Sequence, residues 1–139
     1  MYKSLAEIER IVTEMSQIIN AHERSLPTYG YSADYARPHI EINTDGSYEG
    51  YNYIVVERGE EISRLNTKSL HEFLYTIFND ITLDLAVEFG KNNRVIGQDF
   101  RRLMWAHQLE LLNKLNPLFT EKLQREIDEI LDKHPYLDQ

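Results

Sequence analysis

The chain has 139 residues, no cysteine and a net charge of −8, with 15 basic residues against 23 acidic ones. The lack of cysteine excludes a disulfide scaffold, a thiolate zinc site and a cysteine nucleophile. The acidic balance argues against a nucleic-acid-binding protein, because the phosphate backbone is recognised by clustered Lys and Arg. The length predicts a single domain over residues 1–139. No segment approaches the ~18 apolar residues of a membrane span, and the polar start lacks the apolar run of a signal peptide, so we expect no membrane contact and a cytoplasmic protein.

The first element is an amphipathic helix, predicted over residues 4–22. Ser4 and Glu7 have the spacing of a capping box, in which each side chain bonds a free backbone N–H group. Pro27 cannot continue a helix and marks the end of this region. Apolar side chains recur at helical spacing, at Leu5, Ile8, Val12, Met15 and Ile19, with Ile11 and Ile18 widening the stripe.

A tyrosine-rich loop at residues 26–38 precedes a region with the period of β-strands. Residues 39–43 alternate polar and apolar side chains, residues 44–47 form a turn, and residues 48–58 are rich in β-branched and aromatic side chains. Gly59 interrupts this run, and residues 61–65 return as a third strand. The pattern predicts a three-stranded antiparallel meander, which needs helices on one face to be stable.

Three further helices follow the meander. The first is capped by Thr67 or Ser69 and is expected to end near Gly90. The second begins after Asp99 and is apolar around most of its circumference, so we expect it to be the most buried helix. The third begins with Pro117 after the cap residue Asn116. The fold class is therefore α+β, in the order α-β-β-β-α-α-α, with helices packed on one face of the meander.

The sequence predicts no catalytic residue, no metal site and no cofactor. His71 and Glu72 begin the zinc motif HExxH, but Tyr75 stands where the second histidine would be. The six glycines are scattered and form neither a phosphate-binding loop nor a serine nucleophile elbow. The carboxylate pairs lie on segments predicted to be exposed, where solvated charge is the simpler interpretation. Asp99 can cap its helix and pair with Arg102 three residues on, which is a structural role.

The most informative remaining feature is a coincidence of tyrosines with negative charge. Six of the nine tyrosines lie between residues 29 and 53, and residues 25–66 carry seven acidic side chains against three basic ones. Tyrosine is enriched in protein interfaces, and acidic side chains attract basic partners, although the tyrosines would also serve to cover the sheet. The residues predicted to contact a protein partner are Tyr29, Tyr31, Asp34, Tyr35, Glu49, Glu57, Glu60 and Glu61.

The chain resembles the immunity protein 63 family, whose members are immunity proteins of bacterial polymorphic toxin systems. The resemblance rests on four segments in order, residues 51–59 (YNYIVVERG), 97–102 (GQDFRR), 108–112 (QLELL) and 115–117 (LNP), and extends over residues 48–135. It implies a small cytoplasmic protein that binds and blocks one cognate toxin domain, and the acidic charge suits a basic toxin. It implies no particular binding residues.

Two other functions stay open from the sequence alone. A small enzyme or small-ligand-binding protein would place its site between sheet and helices, with Arg101 or His107 near a sheet carboxylate. A structural subunit would dimerise through an apolar helix face. The sequence does not define the oligomeric state.

Overall fold

A computed structural model describes all 139 residues and shows an α+β fold. The chain divides into two compact units, residues 1–17 with 22–77 and residues 18–21 with 78–139. That the whole chain is one domain stays a prediction. The elements are α1 (Leu5–Ile18), β1 (Thr28–Tyr29), β2 (His39–Asn43), β3 (Gly50–Glu57), β4 (Glu60–Thr67), α2 (Leu70–Asn92), α3 (Phe100–Leu115) and α4 (Pro117–Lys133), with a short 3₁₀ turn at Glu23–Ser25.

Helix α1 begins as the sequence predicts and ends four residues earlier. The capping box is formed, with the Ser4 N–H bonding Glu7 at 3.0 Å and the Glu7 N–H bonding Ser4 Oγ at 3.1 Å. After Ile18 the chain turns through Asn20, which has a φ of 53°. Asn adopts this left-handed conformation more readily than most residues. Ile18 was expected to widen the apolar stripe but is 56% exposed.

The sheet has four strands in the order β1-β2-β3-β4, which corrects the predicted three-stranded meander. The pairs β2–β3 and β3–β4 are antiparallel as expected, whereas β1 pairs parallel to β2. The sheet is therefore mixed rather than antiparallel. Strand β1 has only two residues and directly follows Pro27, so it is too short to show an alternating pattern.

The two faces of the sheet differ in chemistry. On one face the Tyr51 ring stacks on Phe73 of α2 at 5.0 Å and meets the edge of Tyr2 at 5.5 Å. The Lys3 N–H donates to the Tyr51 hydroxyl at 2.8 Å, so the start of α1 lies on this face as well. Because side chains alternate along a strand, neighbouring residues point to the opposite face. Those positions hold the apolar Ile54 and Val56 and six polar residues, which we call the polar sheet face: His39, Glu41, Asn52, Glu61, Arg64 and Asn66.

A β-bulge in β4 brings Glu61 to the polar sheet face. Val55 pairs with Ser63 and Val56 pairs with Glu61, so Ile62 is an extra residue without a partner. In a regular strand, residues three apart point to opposite faces. The bulge shifts the alternation by one and places Glu61 on the same face as Arg64.

Helix α2 has more buried side chains than α3, which was expected to be the most buried helix. It extends past Gly90, which is an internal residue rather than the expected C-cap. A Cβ at Gly90 would lie 2.8 Å from the Phe100 ring, so glycine is needed here for close packing. The buried side chains of α2 are Phe73, Tyr75, Ile77, Phe78, Ile81, Thr82 and Ala86, against Trp105, Gln108, Leu111 and Leu112 in α3. The burial of α2 is hard to read from the sequence, because polar residues such as Thr82 interrupt its apolar pattern. Thr82 is nevertheless buried, and its hydroxyl donates to the Phe78 carbonyl.

Helices α3 and α4 begin where the sequence predicts. Asn116 caps α4 through the Leu118 N–H at 2.9 Å, and Asp99 caps α3 through the Arg101 N–H at 2.9 Å. Neither these helices nor α1 and α2 are long and apolar enough to cross a membrane.

The ion pairs at the start of α3 differ from the expected Asp99–Arg102 pair. Asp99 pairs with Arg101 at 3.0 Å, and Arg102 pairs with Asp138 at 2.7 Å. Arg101 also donates to the carbonyls of His134 and Pro135. The two arginines therefore fasten the C-terminal segment to the start of α3.

Candidate functional site

The most unusual backbone in the chain is a left-handed turn at residues 34–36. Asp34, Tyr35 and Ala36 have φ values of 58°, 55° and 61°. Left-handed helical conformation costs about 1–2 kcal/mol per residue for residues other than glycine. Hydrogen bonds hold the turn in place, because the Arg37 N–H bonds the Asp34 carbonyl at 3.1 Å and the Ala36 N–H bonds the Val56 carbonyl at 3.0 Å.

The turn lies against the tip of the β3–β4 hairpin. Asp34 Oδ1 accepts a hydrogen bond from the Gly59 N–H at 3.3 Å, which brings this carboxylate to the hairpin turn. Glu57 and Glu60 form the last pair of the hairpin and are both exposed. We call Asp34, Tyr35, Glu57 and Glu60 the acidic tip. It joins four of the eight predicted partner residues in one place.

Two tyrosines of the loop before β2 are exposed although both are large and mostly apolar. Tyr35 is 90% exposed on the left-handed turn, and Tyr31 is 63% exposed. The Tyr31 carbonyl accepts a bond from Thr28 Oγ1 at 2.6 Å, which fixes the backbone where the loop leaves β1. Both rings are therefore presented to solvent by a constrained backbone, as in interface anchors.

Glu61 is separated from Glu60 and belongs to the polar sheet face. Its carboxylate accepts two bonds from the Arg64 guanidinium, at 2.8 and 3.2 Å. These bonds lower the pKa of Glu61 below its usual value. Arg64 also donates to Asn52 Oδ1 at 3.1 Å and lies 4.3 Å from the centre of the Tyr48 ring. Glu61 is thus engaged within the protein and is less available to a partner than Glu57 or Glu60.

Tyr29 and Glu49 are placed away from the acidic tip. The Tyr29 hydroxyl is buried without a hydrogen-bond partner, and burial raises its pKa to about 12. Glu49 precedes β3 and accepts a bond from the Tyr2 hydroxyl. Since a strand rises about 3.3 Å per residue, the eight-residue β3 places Glu49 roughly 26 Å from Glu57. One partner contact therefore includes both ends only if it extends along the whole strand.

Sequence reasoning missed the residues that organise the polar sheet face. Arg64 and Asn52 depend on the strand register and on the bulge at Ile62, which no local pattern predicts. His39 is also buried here, with Nε2 2.8 Å from Glu41 Oε2 and Nδ1 without a partner. The alternation of residues 39–43 places His39 and Glu41 on the same face of the strand. It does not predict that their side chains are in contact.

The groups considered for an enzyme or ligand site have structural contacts in the second unit. The Arg101 guanidinium is taken up by Asp99 and the C-terminal carbonyls, and His107 stacks on Phe89 with ring centres 4.0 Å apart. No group of three or more His, Asp or Glu side chains is arranged to hold a metal ion. That the protein needs no metal stays a prediction.

Comparison with known proteins gives one match. Residues 46–129, more than half of the chain, match the family model described as immunity protein 63. No curated protein and no solved structure matches the chain. The matched range contains β3, β4, α2, α3 and most of α4, including the hairpin of the acidic tip. The chain therefore belongs to the immunity protein 63 family.

Proposed function

We propose that this chain binds a cognate toxin domain in the cytoplasm and neutralises it by covering its active site or substrate groove. The acidic tip and Tyr31 supply the contact. The chain acts by binding alone and carries out no reaction of its own. This proposal goes further than family membership, which supports an immunity role without giving a mechanism.

The left-handed turn at residues 34–36 is the observation that best supports the proposal. Three consecutive non-glycine residues occupy a conformation that glycine would adopt without strain. Strained backbone of this kind persists where surrounding bonds hold it, and it clusters at binding sites. Here the strained turn directs the Tyr35 side chain into solvent beside Asp34. The turn therefore presents a side chain to a partner and adds nothing to the core.

The charge of the acidic tip indicates the chemistry of the partner. Asp34, Glu57 and Glu60 lie together, and Arg58 is the one basic residue in the hairpin turn at residues 58–59. Charge complementarity speeds encounter and excludes partners of like charge. A toxin domain with a basic substrate groove, such as one that binds a polyanion, fits this surface.

The test is inhibition of the cognate toxin domain by the purified chain. We expect stoichiometric inhibition that is competitive with the toxin's substrate. Tyr35→Ala should weaken binding by about 2 kcal/mol, mainly through faster dissociation, as for a buried aromatic anchor.

Ile96→Ala is the matched control, because Ile96 is also fully exposed but lies in the second unit. It should leave inhibition unchanged. If Tyr35→Ala binds normally while changes at Glu126 and Glu129 in α4 abolish binding, the toxin contacts α4 and not the acidic tip. That result would contradict the proposed surface.

A further inference from the structure

The outer edge of β2 is covered by β1 along only part of its length. The Thr28 N–H bonds the Pro38 carbonyl at 3.0 Å, and the Gly30 N–H bonds the Ile40 carbonyl at 2.8 Å. Gly30 then turns the chain away with a φ of 80°. The β1–β2 pairing therefore stops at Ile40, and β2 continues to Asn43.

The backbone of Ile42 points toward this uncovered edge. Along a strand, the N–H and C=O groups of residues two apart point to the same side. Since the Ile40 carbonyl is bonded by β1, the N–H and C=O of Ile42 also face outward. On the other side of β2, Ile42 and Tyr51 of β3 form a pair without hydrogen bonds between their backbones, so β3 leaves the N–H and C=O of Ile42 free. Ile42 thus offers one free donor and one free acceptor in strand geometry.

A groove runs along the same edge. It has a volume of about 810 Å³ and is lined by residues 1–5, Gly30 and residues 41–44. A Cβ at Gly30 would lie 3.0 Å from Leu5 Cδ2, so the loop after β1 and the start of α1 are in close contact. The groove is therefore bounded by the free backbone edge and by the start of α1.

The two sides of the groove have different chemistry. The register places Ile42 on the face of Tyr51, where the start of α1 lies, and Glu41 on the polar sheet face. The Glu41 side chain is 40% exposed, and its Oε2 contacts His39 Nε2 at 2.8 Å, which leaves Oε1 for a basic side chain. An added strand would alternate its side chains between these faces, so apolar residues would meet Leu5 and Ile42, and Lys or Arg residues would meet Glu41.

We propose that an extended segment of the toxin domain, alternating apolar with basic residues, pairs with β2 at Ile42 and becomes a fifth strand. An uncovered strand edge is a template for such addition, in which backbone bonds give affinity and alternate side chains give specificity. This inference rests on the proposed function and deepens it. Ile42 is opposite Tyr51, six residues along β3 from Glu57, so the bound strand would lie roughly 20 Å from the acidic tip. A toxin domain that contacts both surfaces would extend along the sheet.

The test is hydrogen exchange of backbone amides, measured by NMR in the free chain and in a one-to-one complex with the toxin domain. The Ile42 amide should exchange at least tenfold more slowly in the complex. The Ile40 amide, already within the β1–β2 ladder, serves as the internal reference and should change little.

The outcomes separate the two proposals. Failure to form any complex overturns the proposed function and this inference with it. A complex in which Ile42 exchange is unchanged overturns strand addition alone. Protection of Ile42 in the free chain that rises with its concentration would show that a second copy occupies the edge, which also overturns the inference.

A pair of variants tests the same point by affinity. Ile42→Pro removes the outward N–H, and edge strands accept proline where the N–H faces away from the sheet. Its urea midpoint should stay close to wild type, while the Kd for the toxin domain rises at least tenfold. Ile42→Val keeps the N–H and should keep the Kd within about twofold. Equal affinity of the two variants would contradict pairing at Ile42.

Discussion

Glu57 and Glu60 face each other directly across the last pair of the β3–β4 hairpin. Like charges in this position destabilise a sheet, and both side chains are exposed next to the two-residue turn at Arg58 and Gly59. The turn residues have φ values of 55° and 77°, as tight hairpins require. The hairpin therefore keeps an unfavourable charge pair at the place where we propose that the toxin binds.

Glu60→Lys should increase stability and weaken toxin binding at the same time. It turns a repulsive pair into an attractive one, so the free energy of unfolding should rise by about 0.5–1 kcal/mol. Association with a basic toxin should slow, and added salt should shrink that difference. Urea denaturation and association rates at two salt concentrations measure the two effects.

Glu129→Lys is the control for net charge. It makes the same change in charge on an exposed position of α4. If it slows association as much as Glu60→Lys, the total charge and not the acidic tip attracts the toxin.

Ala36→Gly should stabilise the protein by about 1 kcal/mol. Ala36 has a φ of 61°, which glycine adopts without the Cβ clash, and this gain exceeds the added freedom of the unfolded chain. Urea melts measure the difference. Ala6→Gly in α1 is the opposite case, because its helical backbone needs no glycine, and it should lose about 1 kcal/mol. A loss of stability in both variants would show that the left-handed turn stores no strain.

Trp105→Ala should cost about 3–5 kcal/mol of unfolding free energy, by the usual penalty for removing a large core side chain. The side chain is 8% exposed, its ring lies 6.1 Å from Tyr136, and Arg101 lies over its face. Urea denaturation gives the value, with Trp105→Phe expected to lose less. A loss under about 1 kcal/mol would mean that the indole is not part of the core.

Asp99→Asn should lower stability at neutral pH more than in acid. The carboxylate accepts bonds from Arg101 and from the Leu137 N–H, which hold the pKa of Asp99 far below its ordinary value of 3.8. A lowered folded-state pKa stabilises the protein above the unfolded-state pKa, and this contribution is lost as pH falls below it. The difference in unfolding free energy between wild type and variant should therefore narrow from pH 7 to about pH 3. A difference that is constant with pH would contradict the role of the ionised carboxylate.

Local signals in the sequence predicted the helix starts and the antiparallel strands well, because caps and alternation act within a few residues. Asp99, Asn116 and the Ser4–Glu7 pair cap as expected. The parallel strand β1 was missed because it depends on pairing with β2 eleven residues away.

The candidate site was predictable in composition but not in geometry. The sequence indicated that tyrosines and carboxylates gather between residues 29 and 61. Whether Glu61 shares a face with Arg64 depends on the bulge at Ile62, and whether Tyr29 is exposed depends on how the strands and helices pack. Those are properties of the assembled sheet, so residue type alone did not separate Tyr35 from Tyr29.

The extra residue Ile62 makes the Glu61–Arg64 ion pair tolerant of a change in chain length. Deleting Ile62 would leave Glu61 two residues from Arg64 in a strand of regular alternation, so both side chains would still lie on one face. The bulge would be lost and the ion pair retained. Among related chains, a one-residue gap at this point would therefore leave the charges of the polar sheet face as they are, and a change in partner preference would have to arise from substitutions.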